Sequence, residues 1–180
     1  ELSHGGRDLT LLSRCEDLSI DQVESLQGDG CIISPIVGEV PREFLGASRG
    51  RFQYIYLDPQ GFMRRFDESG RCMLNSMNIE ILHDVDVVKV DEEEAHSLVG
   101  ERGPKNALPR VSRLGPKICL ATSVRGVTLY DLGRMYLVPQ PRFGRVVDTT
   151  GAGDIFAGAF MSTFLREGDT VWAVCVATSA

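Results

Sequence analysis

The chain has 180 residues, 43% of them hydrophobic and 24% charged, which excludes disordered and collagen-like polymers and fits one domain able to bury a core without disulfides or a structural metal. Nineteen Lys and Arg against twenty-five Asp and Glu leave a net charge of −6 with no basic stripe, so nucleic acid is not an expected partner. Five scattered cysteines, with no Cys-x-x-Cys pair, predict reduced core thiols. No apolar run reaches the length of about 20 residues that crosses a bilayer, and no basic-then-apolar leader opens the chain. The expectation is a cytoplasmic protein without a membrane partner. Glu1 at the start, and Ala180 inside an apolar periodic stretch, predict a piece of a longer chain.

In chain order, the Gly5-Gly6 break between Glu1–His4 and Asp8–Leu12 suits a hairpin whose turn needs positive φ, and predicts a small separate sheet over residues 1–14. Over 15–180 the rhythm is different. Short apolar runs at Cys31–Ile36, Tyr54–Leu57, Val85–Val90 and Ile118–Ala121 alternate with helical stretches at Val40–Ala47 and Glu92–Val99, the second entered from Asp91 as N-cap. Such alternation predicts βαβ units and a mostly parallel sheet. A second hairpin pairs Val127–Tyr130 with Met135–Val138 through Asp131-Leu132-Gly133, and a short strand at Val146-Val147 runs into a glycine-rich turn.

That turn, Asp148-Thr149-Thr150-Gly151-Ala152-Gly153-Asp154, carries the chemistry. Apolar residues at 155, 156, 159, 160 and 164 follow it with the spacing of one helix face, so the glycines sit where a helix begins. Bare backbone there offers unpaired N–H groups and the positive end of the helix dipole to an anion such as phosphate. Asp154, in the first turn, is placed to take a proton from a hydroxyl attacking that phosphate; read without the chemistry, it is a favourable first-turn acid beside a tight turn. A Walker loop is absent, and the glycine spacing departs from a dinucleotide fingerprint, because Gly158 follows Gly153 by five residues instead of three.

The run Asp148–Asp154, with Phe156 and Gly158 beyond it, resembles the signature of the ribokinase-like, or PfkB, sugar and nucleoside kinases. Ser34-Pro35-Ile36, Glu39-Val40-Pro41 and Leu57-Asp58-Pro59-Gln60-Gly61-Phe62-Met63-Arg64 are similar to the archaeal subgroup that includes inositol kinases. The resemblance implies a three-layer α/β/α core with a mostly parallel sheet plus a small β lid that often mediates dimers. It implies ATP-dependent transfer of the γ-phosphate to a hydroxyl of a sugar, polyol or nucleoside, with Asp154 as base and Gly151, Ala152 and Gly153 as anion hole. It places Asp91 and Glu94 at the family's Asn-x-x-Glu motif, which organises Mg²⁺ largely through water; Asp91 replaces the asparagine. Thr122, Ser123 and Gly126 fall on the nucleotide turn Thr-x-Gly-x-x-Gly, with Ser123 replacing a glycine. Asp148 and Thr150 match positions that bind a monovalent cation such as K⁺ in many relatives.

Beside these stand plainer readings: a capped, acidic helix start at Asp91–Glu94, an ordinary β-turn at Thr122–Gly126, and turn capping by Asp148 and Thr150. His4, His83 and His96 are assigned no chemistry, with His96 on an exposed helix face. Trp172 and Phe164 are expected in the core, and Arg64-Arg65 on a solvated surface. Most acceptor-binding residues of the family precede the position of Glu1, so the acceptor pocket is expected to be incomplete. The alternatives are a noncatalytic nucleotide-binding or structural derivative, motivated by Asp91 and Ser123, and a Rossmann-type NAD oxidoreductase.

Overall fold

The computed structural model describes residues 10–141 and 150–180. In chain order the elements are α1 (Ile20–Glu24), β1 (Gly30–Ile33), α2 (Arg42–Arg49), β2 (Tyr54–Leu57), α3 (Gln60–Met63), β3 (Arg64–Phe66), β4 (Cys72–Leu74), a 3-10 helix (Ile79–Asp84), β5 (Val87–Val90), α4 (Glu92–Val99), α5 (Pro104–Ser112), β6 (Ile118–Ser123), β7 (Gly126–Asp131), β8 (Arg134–Pro139), α6 (Ala152–Glu167) and α7 (Thr170–Ser179).

Successive side chains of a strand face opposite ways, and here both directions are apolar, so the sheet must be covered on both faces. Cys31, Ile55, Leu57, Val88, Val90 and Cys119 pack with α1, α2, the 3-10 helix, α4 and α5. Tyr56, Val87, Ile118, Leu120, Val127 and Leu129 pack with α6 and α7. The result is the expected three-layer α/β/α core. Its sheet has the order β1-β2-β5-β6-β7-β8, with β1, β2, β5 and β6 parallel and the β7 and β8 pairings antiparallel.

A second sheet pairs β3 with β4, and Thr10 joins it through an antiparallel bridge to Arg71. Residues 1–9 of the expected hairpin, and the Val146-Val147 strand, lie outside the described residues. The Arg64-Arg65 pair opens β3, with Arg65 exposed as expected and Arg64 half-buried.

Several elements are shorter than their apolar runs. β1 stops at Ile33, before Ser34-Pro35, because proline has no N–H for the ladder. β5 begins at Val87, two residues into its run, since Val85 caps the preceding 3-10 helix. Helix α5, which has Pro104 in its first turn and Pro109 inside, adds a helix that the sequence reading does not include, and buries Ala107, Leu108 and Val111 on one face. Only Cys31 and Cys119 of the thiols are buried; Cys15 is exposed and Cys72 and Cys175 are intermediate, and all five are free. Trp172 is 53% exposed, against the core position expected, whereas Phe164 is buried. Ile155 also points outward, because α6 turns Phe156, Phe160 and Phe164 to the sheet.

Those three phenylalanines set the position of α6. Spaced four apart, they stack along the helix with centroids 6.3 and 5.8 Å apart. Tyr54 meets Phe164 edge-on at 4.9 Å and Tyr56 meets Phe160 at 6.1 Å. Each ring buries on the order of 200 Å², so the ladder fixes the helix along β2. The N-terminus of α6 therefore comes to rest over the carboxyl ends of the parallel strands, where ligands of open α/β sheets bind.

Candidate active site

Four chain segments converge at those strand ends. Gly151 caps α6 with φ of +77°, a left-handed conformation that glycine adopts without cost, and Ala152, Gly153 and Asp154 form the first turn. The first-turn amides of such a helix have no partner within it and point outward with the positive end of the dipole. Gly151, Ala152, Gly153 and Asp154, the residues expected to serve as anion hole and base, thus all lie at this helix start. The Asp154 carboxylate is exposed, and Ser34 Oγ, just past β1, donates to its Oδ1 at 3.4 Å.

Under this turn lies a buried ion pair. β2 and β5 run parallel with Leu57 beside Val88, so the next register position sets Asp58 beside Lys89 on the α6 face. Lys89 Nζ donates to Asp58 Oδ2 at 2.7 Å, and Asp58 is only 3% exposed. A Cβ on Gly153 would stand 3.8 Å from Lys89 Nζ and 3.9 Å from Asp58 Oδ2, which locates the pair directly beneath α6. Burial works against the Lys89 charge, yet Asp58, with Glu94 and Asp91 behind it, raises the lysine above its ordinary range. Tyr56 is fully buried on the same face; burial first, then the charges of Asp58 and Asp154, push its phenol well above the usual value. Its hydroxyl has no hydrogen-bond partner among the described residues.

Asp91 and Glu94 form a capping box at the start of α4, the plainer reading of that motif: Asp91 accepts from the Glu94 amide at 2.7 Å and Glu94 from the Asp91 amide at 2.8 Å. Burial, followed by the Asp91 charge, pushes Glu94 up to about 7. The cap uses one oxygen of each carboxylate and leaves the other outside it, so the pair fits a Mg²⁺ ion that keeps most of its waters. Among the described residues there is no group of three or more His, Cys, Asp or Glu placed to hold a metal directly.

Thr122–Gly126 also keeps its plainer role. Ser123 Oγ donates to the Gly126 carbonyl at 3.1 Å and accepts from the Arg125 amide at 3.2 Å, closing the β6–β7 turn, while Thr122 Oγ1 reaches the Val90 carbonyl at 3.5 Å. Gly126 has φ of +128°, and a Cβ there would stand 2.1 Å from the Val138 carbonyl oxygen. A cleft of about 730 Å³ has Glu92, Thr122, Ser123 and Arg125 in its wall, but neither Asp154 nor Lys89. Thr150 is exposed in the turn before α6, and Asp148 lies outside the described residues. His96 is half-buried, with its Nδ1 unpartnered among the described residues, in place of the exposed position expected.

Asp58, Lys89 and Tyr56 were not singled out from the sequence. The available signal was an acid ending one apolar strand and a lysine within another, since charges enter buried strands rarely and in pairs.

A family model described as pfkB family carbohydrate kinase matches residues 63–180, more than half of the chain. A cytidine kinase from Thermococcus kodakarensis is 28% identical over 139 residues, 74% of this chain and 47% of that protein. An ATP-dependent 6-phosphofructokinase from Thermoanaerobacterium thermosaccharolyticum is 32% identical over 82 residues, 46% of this chain and 26% of that protein. The chain thus spans less than half the length of these relatives. Among solved structures, a pyrophosphate-dependent kinase in the ribokinase family, complexed with a pyrophosphate analog and myo-inositol, superposes with a TM-score of 0.87 at 26% identity over 96% of this chain and 63% of that one. Arabidopsis thaliana ribokinase, complexed with ribose and ATP, shares the fold at a TM-score of 0.72 and 22% identity over 92% of this chain and 53% of that one. With the strand order, the α6 turn and the match over 63–180 in agreement, the chain belongs to the pfkB family of carbohydrate kinases.

Proposed function

We propose that the protein containing this chain transfers the terminal phosphoryl group of ATP to a hydroxyl of a sugar, polyol or nucleoside. The observation that carries the reading is the position of Asp154 in the first turn of α6, beside the Gly151–Gly153 amides and above the buried lysine. Asp154 takes the proton of the acceptor hydroxyl as that oxygen bonds to phosphorus; the bond from phosphorus to the bridging oxygen breaks, and its electron pair leaves with the diphosphate. The amides receive the equatorial oxygens. Little covalent chemistry is asked of the protein, so alignment and charge stabilisation supply most of the rate. Asp91 and Glu94 would hold Mg²⁺, chiefly through water, and the ion supplies charge neutralisation on the donor. Thr122, Ser123 and Gly126 lie where the donor's remaining atoms would run.

The same reading carries a monovalent cation at Asp148 and Thr150, a cytoplasmic location, and a dimer formed through the small sheet. Among the described residues, no helix is long and apolar enough to cross a membrane. Membership in the family sets aside the NAD oxidoreductase alternative.

A second reading concerns the donor. The likeness to a pyrophosphate-dependent kinase at TM-score 0.87, together with Ser123 where relatives have glycine in the nucleotide turn, favours pyrophosphate in place of ATP. The test is phosphorylation by the full-length protein of ribose, myo-inositol, cytidine and fructose 6-phosphate with each donor. Turnover with ATP supports the first reading and turnover with pyrophosphate alone the second. No product with any pair returns the noncatalytic alternative.

A further inference from the structure

The ion pair beneath α6 is costly as a purely structural device. Two charges are taken out of water, and the ammonium lies by the positive end of a helix dipole. Apolar residues of similar volume would pack this face of the sheet at no such cost, as Val87 and Leu120 do nearby. The adjacent Tyr56 hydroxyl is a second buried polar group left without a partner among the described residues, and it stands within the fields of Asp58 and Asp154. Buried polar groups in native structures are nearly always satisfied, so the ion pair and the Tyr56 hydroxyl together make this the most polar spot on an otherwise apolar face.

The groups facing Lys89 come from three elements. Asp58 follows β2, Asp91 and Glu94 start α4, and the first turn of α6 lies above. Of these, Asp58 alone is hydrogen-bonded to the ammonium among the described residues. A lysine on a flexible stem among three carboxylates has several directions to point, and only contact with Asp58 keeps its Nζ under Gly153. Gly153 has no side chain to intervene.

Resting on the phosphoryl-transfer reading of this site, we propose that Asp58 is a positioning residue, which fixes the Lys89 ammonium beneath the first turn of α6 so that its free N–H groups meet the phosphate oxygens received there. Asp58 itself does not touch the substrate.

The proposal makes a prediction opposite in sign to simple electrostatics. Removing a negative charge from beside an anion site should strengthen phosphate binding, whereas releasing the lysine should weaken it. The experiment is calorimetric titration of the full-length protein and its Asp58→Asn variant with inorganic pyrophosphate, alongside turnover and thermal melts. Asp58→Asn is expected to bind pyrophosphate about tenfold or more weakly, and to lose kcat while the acceptor KM stays put. Because that variant leaves a buried lysine unpaired, the double variant Asp58→Asn with Lys89→Met serves as control: it regains thermal stability but neither binding nor turnover. Equal or tighter pyrophosphate binding by a folded Asp58→Asn overturns the proposal, as does a double variant that recovers binding, or a wild-type protein that binds no pyrophosphate. Wild-type protein that binds pyrophosphate but phosphorylates no acceptor overturns the kinase reading alone, and the binding comparison still decides the role of Asp58.

Discussion

The Glu94 carboxylate accepts from the Asp91 amide at 2.8 Å and the Asp91 carboxylate from the Glu94 amide at 2.7 Å across the first turn of α4, with Glu94 only 7% exposed. The bonds hold a carboxyl group where burial and the neighbouring Asp91 charge raise its pKa from 4.5 to about 7. Between these values the folded chain keeps a proton that the unfolded chain has lost. Stability contributed by this group therefore falls as pH rises from about 4.5 to about 7 and is level beyond. Glu94→Gln keeps an acceptor for the Asp91 amide and removes the titration. Its unfolding free energy should lose this decline and exceed that of the wild type above pH 7 by an amount on the order of 1–3 kcal/mol, read as a raised thermal midpoint. Parallel pH dependences in melts of the two proteins would refute the assignment.

Asp154 sits on the surface of the first turn, where its replacement costs the fold little. In the full-length protein Asp154→Asn should lower kcat by roughly 10²–10⁴-fold, the usual worth of a positioned base, with donor affinity changed only a few-fold. Normal turnover by this variant is the outcome that removes Asp154 from the mechanism.

Gly126 and Gly133 both have positive φ, but their surroundings differ. A Cβ at Gly126 meets the Val138 carbonyl oxygen at 2.1 Å, whereas one at Gly133 meets nothing within 4 Å. Gly133→Ala should cost about 1 kcal/mol from backbone strain alone, and Gly126→Ala at least about 3 kcal/mol because β8 must move. Urea denaturation of the two variants gives the comparison; similar midpoints would contradict the close approach of β7 and β8.

Tyr56 buries a hydroxyl with no partner among the described residues. Since an unsatisfied buried polar group costs about 1–3 kcal/mol, Tyr56→Phe should leave the unliganded protein as stable as the wild type or more so. A loss of more than about 1 kcal/mol in chemical denaturation would show that the hydroxyl is bonded in the free protein.

Local pattern carried most of the architecture. Tyr54–Leu57 and Glu92–Val99 have the same bounds in the sequence reading and in the structure, because an unbroken apolar run between polar flanks and an acid-capped helix are each defined by neighbours a few residues away. The glycine-rich start of α6 was legible for the same reason: its conformation follows from Gly151 and the helix behind it. Helix α5 was not, because Pro109 in its interior argues against a helix even though Ala107, Leu108 and Val111 keep helical spacing. Trp172 was misplaced because α7 is apolar nearly all round, which leaves its buried side undetermined by composition.

What the sequence by itself determined is therefore the layered α/β class and the glycine-rich helix start with its first-turn acid, since these depend on residues adjacent in the chain. Tertiary structure alone decided that Asp58 and Lys89, 31 residues apart, become a buried pair under Gly153, and that the Tyr56 hydroxyl is buried on the same face of the sheet. The register between β2 and β5 and the phenylalanine ladder of α6 bring them there, and neither relation exists until the strands have paired and the helix has docked.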